Sequence, residues 1–302
     1  MTTRSLKLND LQMPQQVKKS TSKLQFGLRR LKPALYFIPF LILFYLFQLA
    51  PMLWVVINSF IYEGQWSLEN YQEVLGSKFM LQGFSNSLWL SAWSSLLGLG
   101  IATLLVSSLR YVDSKVRNAV IAFTNMSSNF SGVPLAFAFI IILGFNGAFT
   151  LLLKKHGFID DFNLYGKWGL LAIYVYFQIP LAVLLLYPAF DSLKHDWKEA
   201  AALLGASSYQ YWLRIALPVL TPALLGTLII LIANAIGAYA SVYALTGGSY
   251  NLVTIRIASL VSGDLFLEPN LAAAISVLLL ALLAFITLIN QWLVSRSYNA
   301  NR

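Results

Sequence analysis

Seven residues in a twenty-residue stretch carry the most specific pattern of the chain: Glu199, Ala200, Ala201, Gly205, Ile215, Leu217 and Pro218. The stretch reads Glu-Ala-Ala-Ala-Leu-Leu-Gly, nine further residues, then Ile-Ala-Leu-Pro. It is a short polar segment between two long apolar runs, which suits a docking surface better than a catalytic site. Other chemistry is thin. Cysteine is absent, so disulfides, thiolate catalysis and Cys-ligated metals are excluded. The only histidines, His156 and His195, are isolated, so no His-rich metal site is expected. No Gly-x-x-x-x-Gly-Lys-Ser/Thr phosphate loop occurs, so the chain is not expected to hydrolyse ATP. Energy must come from a separate subunit or not be needed.

A second group is polar and uncharged. Thr124, Asn125, Ser127, Ser128, Asn129 and Ser131 crowd one short stretch that closes with Gly132 and Pro134. Hydrogen-bonding side chains are costly against lipid, so these should face protein or a water-filled path. Gly132 and Pro134 are expected to break the helix there. Farther on stand Tyr174, Tyr176, Gln178 and Pro180, then Asn234, Gly237, Tyr239, Ser241 and Tyr243. Asn234 and Ser241, seven residues apart, are expected to share one helix face. The candidate pathway lining is therefore Asn125, Ser128, Asn129, Tyr174, Asn234 and Tyr239. Packing by small polar residues is the other reading of the cluster, and the tyrosines equally suit a membrane interface.

The elements that position these residues follow from composition. The chain is 58% hydrophobic and 11% charged, against about 25% charged in soluble domains. Its apolar residues fall into six runs, at about 34–62, 86–109, 119–146, 168–190, 217–245 and 270–294. Each is long enough to cross about 30 Å of hydrocarbon as a helix, and helices satisfy their own backbone polar groups there. None carries an Asp, Glu, Lys or Arg well inside, which counts against a proton-driven mechanism. With the amino terminus inside, 16 of the 21 Lys and Arg residues fall in the inner segments 1–33, 110–118, 191–216 and 295–302. That bias predicts both termini in the cytoplasm and the Glu199 segment on the cytoplasmic side. It also explains the net charge of +9 without a nucleic-acid partner. Residues 1–33 read as a basic cytoplasmic tail, with 18–32 a basic stretch suited to the membrane surface. Residues 34–294 read as the transmembrane domain, with the loop at 191–218, and 295–302 as a short cytoplasmic tail.

The Glu199–Pro218 pattern resembles the EAA loop of permease subunits in ATP-binding-cassette importers. Gly144-Phe145-Asn146-Gly147, Gly247-Gly248 with Asn251-Leu252, and Ser67-Leu68-Glu69-Asn70-Tyr71 are similar to other segments of these permeases. Together they extend the resemblance over roughly 33–294, with the look of the polyamine, phosphonate, sulfate and iron branch. Leu204 stands where many relatives carry a polar or acidic residue. The resemblance implies an all-α, six-helix, MetI-like permease bundle, multi-pass in the bacterial inner membrane. It implies a coupling helix that seats in an ATPase cleft, with Glu199, Ala200, Ala201, Gly205, Ile215, Leu217 and Pro218 as its residues. The implied partners are a pair of ATP-binding subunits, a second permease (same or different chain) and an external solute-binding protein. ATP and Mg would sit on the ATPase, with no cofactor on this chain. A polyamine-like solute is favoured by the resemblance, with phosphonate, sulfate or ferric ion as alternatives. A secondary carrier or channel without an ATPase is the competing class, and it lacks the expected intramembrane charges.

Overall fold

The computed structural model describes residues 37–157, 163–262 and 267–300. The whole basic tail 1–33, with its 18–32 stretch, the acids Asp160 and Asp161, and the last two residues lie outside the described residues. Among the described residues the fold is helical, with one two-stranded hairpin and six helical stretches long and apolar enough to cross a membrane.

Helix α1 (Phe37–Ser59) lies, up to Ile57, in a compact unit of its own; the chain from Asn58 onward forms a second unit. A hairpin follows, β1 (Ile61–Tyr62) and β2 (Gln65–Trp66), paired Ile61↔Trp66 and Tyr62↔Gln65. Its two-residue loop, Glu63-Gly64, has positive φ at both positions, as a tight twisted hairpin requires. Then come α2 (Glu69–Gly76), α3 (Lys78–Leu109), α4 (Ser114–Ser128), α5 (Val133–Leu143) and α6 (Ala148–Lys155). Helix α7 runs Lys167–Asp191, α8 His195–Leu203 and α9 Ser208–Gly237; α10 (Ala240–Thr246), α11 (Val253–Ser262) and α12 (Pro269–Ala300) complete the chain.

The six expected apolar segments all recur, but two are built differently. The third is not one helix over 119–146. Helix α4 ends in its polar cluster, the chain turns at Asn129–Gly132 with Gly132 at φ 72°, and the apolar span runs Val133–Lys155. That span takes in α6, which occupies part of the expected outer loop 147–167. The fifth begins at Ser208, not 217, because Ser207 and Gln210 form a capping box that starts a helix there. It ends at Gly237 instead of running to 245, so Asn234 and Ser241 do not share one helix face. Pro218 therefore lies inside α9 and does not open it.

Proline inside a helix removes an N–H and presses its ring on the carbonyl four residues back. At two positions the helix widens by a π turn just before such a proline. Tyr45–Leu49 precedes Pro51, and Trp212–Ala216 precedes Pro218. Each π turn moves the hydrogen bond from the fourth to the fifth residue back, relieving the carbonyl that the ring would strike.

The second unit packs around α3 and α7. The buried face of α3 is a ladder of small residues, Ser87, Ser91, Ser94, Ser95, Gly98 and Ala102, which lets a neighbouring backbone approach closely. One buried cluster joins α3, α7, α8 and α9 through Ala102, Val106, Leu186, Phe190, Ala201 and Leu220. Another joins α3, α5, α7, α10 and α11 through Leu90, Leu135, Ile173, Tyr174, Val242 and Ile255. Two of the basic inner segments, 110–118 and 191–216, meet at one end of the second unit. Arg110 donates to the Leu193 carbonyl, and Lys198 Nζ donates to Tyr111 Oη at 2.9 Å. At the other end Asn86 donates to the Asn251 carbonyl at 3.0 Å, and Lys167 Nζ stands 3.7 Å over the Trp89 ring.

A Cβ on Gly98 would sit 2.8 Å from Gln178 Cβ, whereas one on Gly100, in the same helix, meets nothing within 4 Å. Gly98→Ala is therefore expected to push α3 off α7 at a cost of about 1–3 kcal/mol, and Gly100→Ala to be neutral or mildly stabilising. Thermal unfolding midpoints of the two variants in detergent, compared with the parent, check this pair.

Candidate functional site

Two places carry the functional residues: the α7–α9 connection and a cavity between interrupted helices. In the first, α7 ends at Asp191, three residues turn the chain, and α8 (His195–Leu203) follows. Alanine at 200, 201 and 202 favours helix. The helix stops in a Schellman arrangement, which satisfies carbonyls that the helix end would leave open. The Ala206 N–H donates to the Ala201 carbonyl at 2.9 Å, and the Gly205 N–H to the Ala202 carbonyl at 3.0 Å. Gly205 adopts φ 77°, and a Cβ there would meet nothing within 4 Å. Glycine is needed at this position for its backbone conformation, and space is not limiting.

Burial divides α8 into two faces. Ala201 is buried with Phe190, Leu193 and Tyr211, and Ala206 packs against the same cluster. Glu199, Ala200 and Ala202 are exposed, and the tip residues Leu203 and Leu204 are 89% and 88% exposed. Two leucines so exposed on a helix tip form an apolar contact surface that none of the described residues covers. The seven motif residues are thus not one surface. Glu199, Ala200 and Gly205 lie on the projecting tip and Ala201 anchors it. Ile215 is half-buried at the π turn, and Leu217 and Pro218 sit just beyond, inside α9.

The cavity has a volume of about 560 Å3 and opens where two helical runs are interrupted. On one side is the turn at Ser131-Gly132 between α4 and α5; on the other is the break at Ala238-Tyr239 between α9 and α10. Backbone freed from helical bonding within a membrane protein must be buried in protein or line a wet cavity. Both breaks are tied. Tyr174 Oη donates to the Ala238 carbonyl at 3.0 Å, and Ser241 Oγ donates to the Gly132 carbonyl at 3.3 Å. Among the described residues, the lining carries no carboxylate, amine, guanidinium or imidazole.

Of the six expected pathway residues, Ser128, Asn234 and Tyr239 line this cavity. Asn125 and Asn129 do not. Asn129 Nδ2 donates to the Asn125 backbone carbonyl at 2.9 Å, closing the end of α4. Tyr174 is buried and pins the α9 break from behind. Gln178, noted in the sequence but not among the expected lining residues, organises the cavity wall. It is fully buried, and its Nε2 donates to the Leu231 carbonyl at 2.6 Å and to Ser95 Oγ at 3.1 Å. A backbone carbonyl only accepts, so this bond fixes which way the Gln178 amide points. Gln178 Oε1 must then accept, and Asn234 Nδ2 donates to it at 3.1 Å. That in turn commits the Asn234 amide, leaving its carbonyl oxygen for the cavity. The signal for Gln178 was a lone amide in an apolar span beside the serine ladder of α3.

The ferric transport system permease protein FbpB of Actinobacillus pleuropneumoniae is 24% identical over 271 residues, covering 85% of this chain and 38% of that protein. The diacetylchitobiose uptake system permease protein NgcG of Streptomyces coelicolor is 29% identical over 192 residues, covering 61% of this chain and 60% of that one. The chain spans about two fifths of the length of the ferric relatives it matches. Among solved structures, a bacterial ABC transporter that imports alginate superposes with a TM-score of 0.74 at 20% identity, covering 91% of this chain and 99% of that one. The MetNI methionine ABC transporter, in inward-facing conformations, gives 0.55 at 17% identity, covering 72% and 95%. At these identities the structures speak for the fold. Residues 94–297 match the family described as binding-protein-dependent transport system inner membrane component, and the chain belongs to that family.

Proposed function

We propose that this chain is the permease subunit of a binding-protein-dependent ABC importer, a transport subunit and not itself an enzyme. Its partners are a pair of ATP-binding subunits, a second permease and an external solute-binding protein. The observation that carries the reading is the α8 tip. Leu203 and Leu204 are exposed on a helix whose opposite face is locked into the core by Ala201. A surface of that kind receives a partner's groove and passes on its movement. Glu199, midway along α8, adds an exposed carboxylate suited to an Arg of the ATPase. ATP binding closes the ATPases, moves α8, and re-aims the cavity between the interrupted helices toward the delivered solute.

The cavity favours a small polar organic solute held by hydrogen bonds. Asn234 offers it a fixed acceptor, so N–H or O–H donors fit, polyamine-like amines among them. A bare sulfate, phosphonate or ferric ion would meet no formal countercharge in this chain's lining.

Glu199→Lys and Gly205→Asp are expected to lower ATP-dependent uptake tenfold or more, roughly, while the chain remains in the membrane. Gly205→Asn, whose side chain is uncharged and tolerates positive φ, should retain most of it. Uptake into vesicles holding the full transporter, assayed with labelled spermidine, methylphosphonate, sulfate and ferric ion, measures both points. Normal uptake by both charged variants removes the coupling role of α8. Robust uptake of sulfate or ferric ion with none of spermidine removes the solute reading alone.

A further inference from the structure

Helix α8 is joined through the chain to the two helices that flank it, α7 and α9. It is also fastened to a third. The C-terminal end of α3 delivers Arg110 and Tyr111 beside the α7–α8 turn. Arg110 donates through its guanidinium to the backbone carbonyl of Leu193, a buried residue one step past the α7 cap. Tyr111 receives Lys198 of α8 twice over. Nζ donates to its hydroxyl at 2.9 Å and stands 4.5 Å over its ring. Below these contacts, Ala102 and Val106 of α3 share one buried cluster with Leu193 and Ala201.

We infer that Arg110, Tyr111 and Lys198 clamp the coupling helix to α3, so that α8 and the inner end of α3 move as one body when the ATPases close. The three are positioning residues, and the inference rests on the proposed coupling role of α8. Its physical content is a path. Helix α3 meets α7 at Gly98 and supplies Ser95 to the Gln178 node, which holds Asn234 in the cavity wall. A displacement entering at α8 thus reaches the cavity wall through α3 as well as through α7 and α9. The Lys–Tyr pair suits a clamp because the ammonium keeps its hold on the aromatic face if the hydroxyl bond lengthens.

The absence of cysteine makes a direct test available, since Ala233→Cys places a single thiol of this chain in the cavity wall. The complete transporter carrying this reporter is assayed for maleimide reaction rate with and without ATP, alongside its ATP hydrolysis. Lys198→Met and Tyr111→Leu, each in the reporter background, are expected to cut the ATP-dependent change per ATP hydrolysed about fivefold. Lys198→Arg should restore it, and the Lys198→Met/Tyr111→Leu double variant should be no weaker than either single, as members of one contact are. An undiminished ratio in both single variants overturns the clamp, as does a double variant whose losses multiply. A parallel fall in hydrolysis and response, leaving the ratio unchanged, would mark these residues as structural only. A parent reporter indifferent to ATP would instead sink the coupling role itself, and the clamp with it.

Discussion

A helix that stops inside a membrane protein leaves N–H and C=O groups that lipid cannot satisfy. That constraint organises the second unit of this chain. Both interruptions, at Asn129–Gly132 and at Ala238-Tyr239, border the same cavity, and each has a carbonyl claimed by a side chain from another helix. Tyr174 takes the Ala238 carbonyl, and Ser241 takes that of Gly132. The breaks are therefore held open in a defined shape, and the polar residues that lipid would penalise have a wet surface to face. Discontinuous helices meeting at a binding cavity are a recurrent solution in transporters.

The rest of the packing serves to connect that cavity to the α8 tip. One buried cluster reaches from the interior to α8, another to the interrupted helices and the opposite end. Gln178 stands on α7, a helix common to both, and bonds α3 and α9 simultaneously. A buried amide with every partner fixed specifies one relative placement of three helices, where an apolar contact would tolerate sliding. The small-residue face of α3 brings the helices close enough for those bonds to form.

Much of this was legible in the sequence, and the exceptions have physical causes. Six long apolar runs and a polar motif between the fourth and fifth sufficed for the helical bundle, since hydropathy reports what lipid demands. Gly132 and Pro134 correctly marked the first break. The second left no such mark. Gly237 read as part of a continuous face with Asn234 and Ser241, because an isolated glycine within an apolar run is compatible with helix. The fifth apolar run reads as beginning near 217, whereas α9 begins at Ser208: a π turn accommodates the Pro218 ring, so the proline lies within the helix. Asn125 and Asn129 were rightly seen as polar in an apolar setting, but short amides at a helix end spend themselves on local backbone. Tyr174 and Gln178 could not be ranked from sequence, since their roles depend on carbonyls more than fifty residues away.

The central claim is that the α8 tip receives an ATPase. Photo-cross-linking from a benzoyl-phenylalanine placed at Leu204 of the complete transporter tests it most directly, with the same probe at Leu68 as a control for the opposite end. The account predicts an adduct between this chain and the ATP-binding subunit from position 204 and none from position 68. Adducts from Leu204 only to lipid, or to the external binding protein, would contradict it.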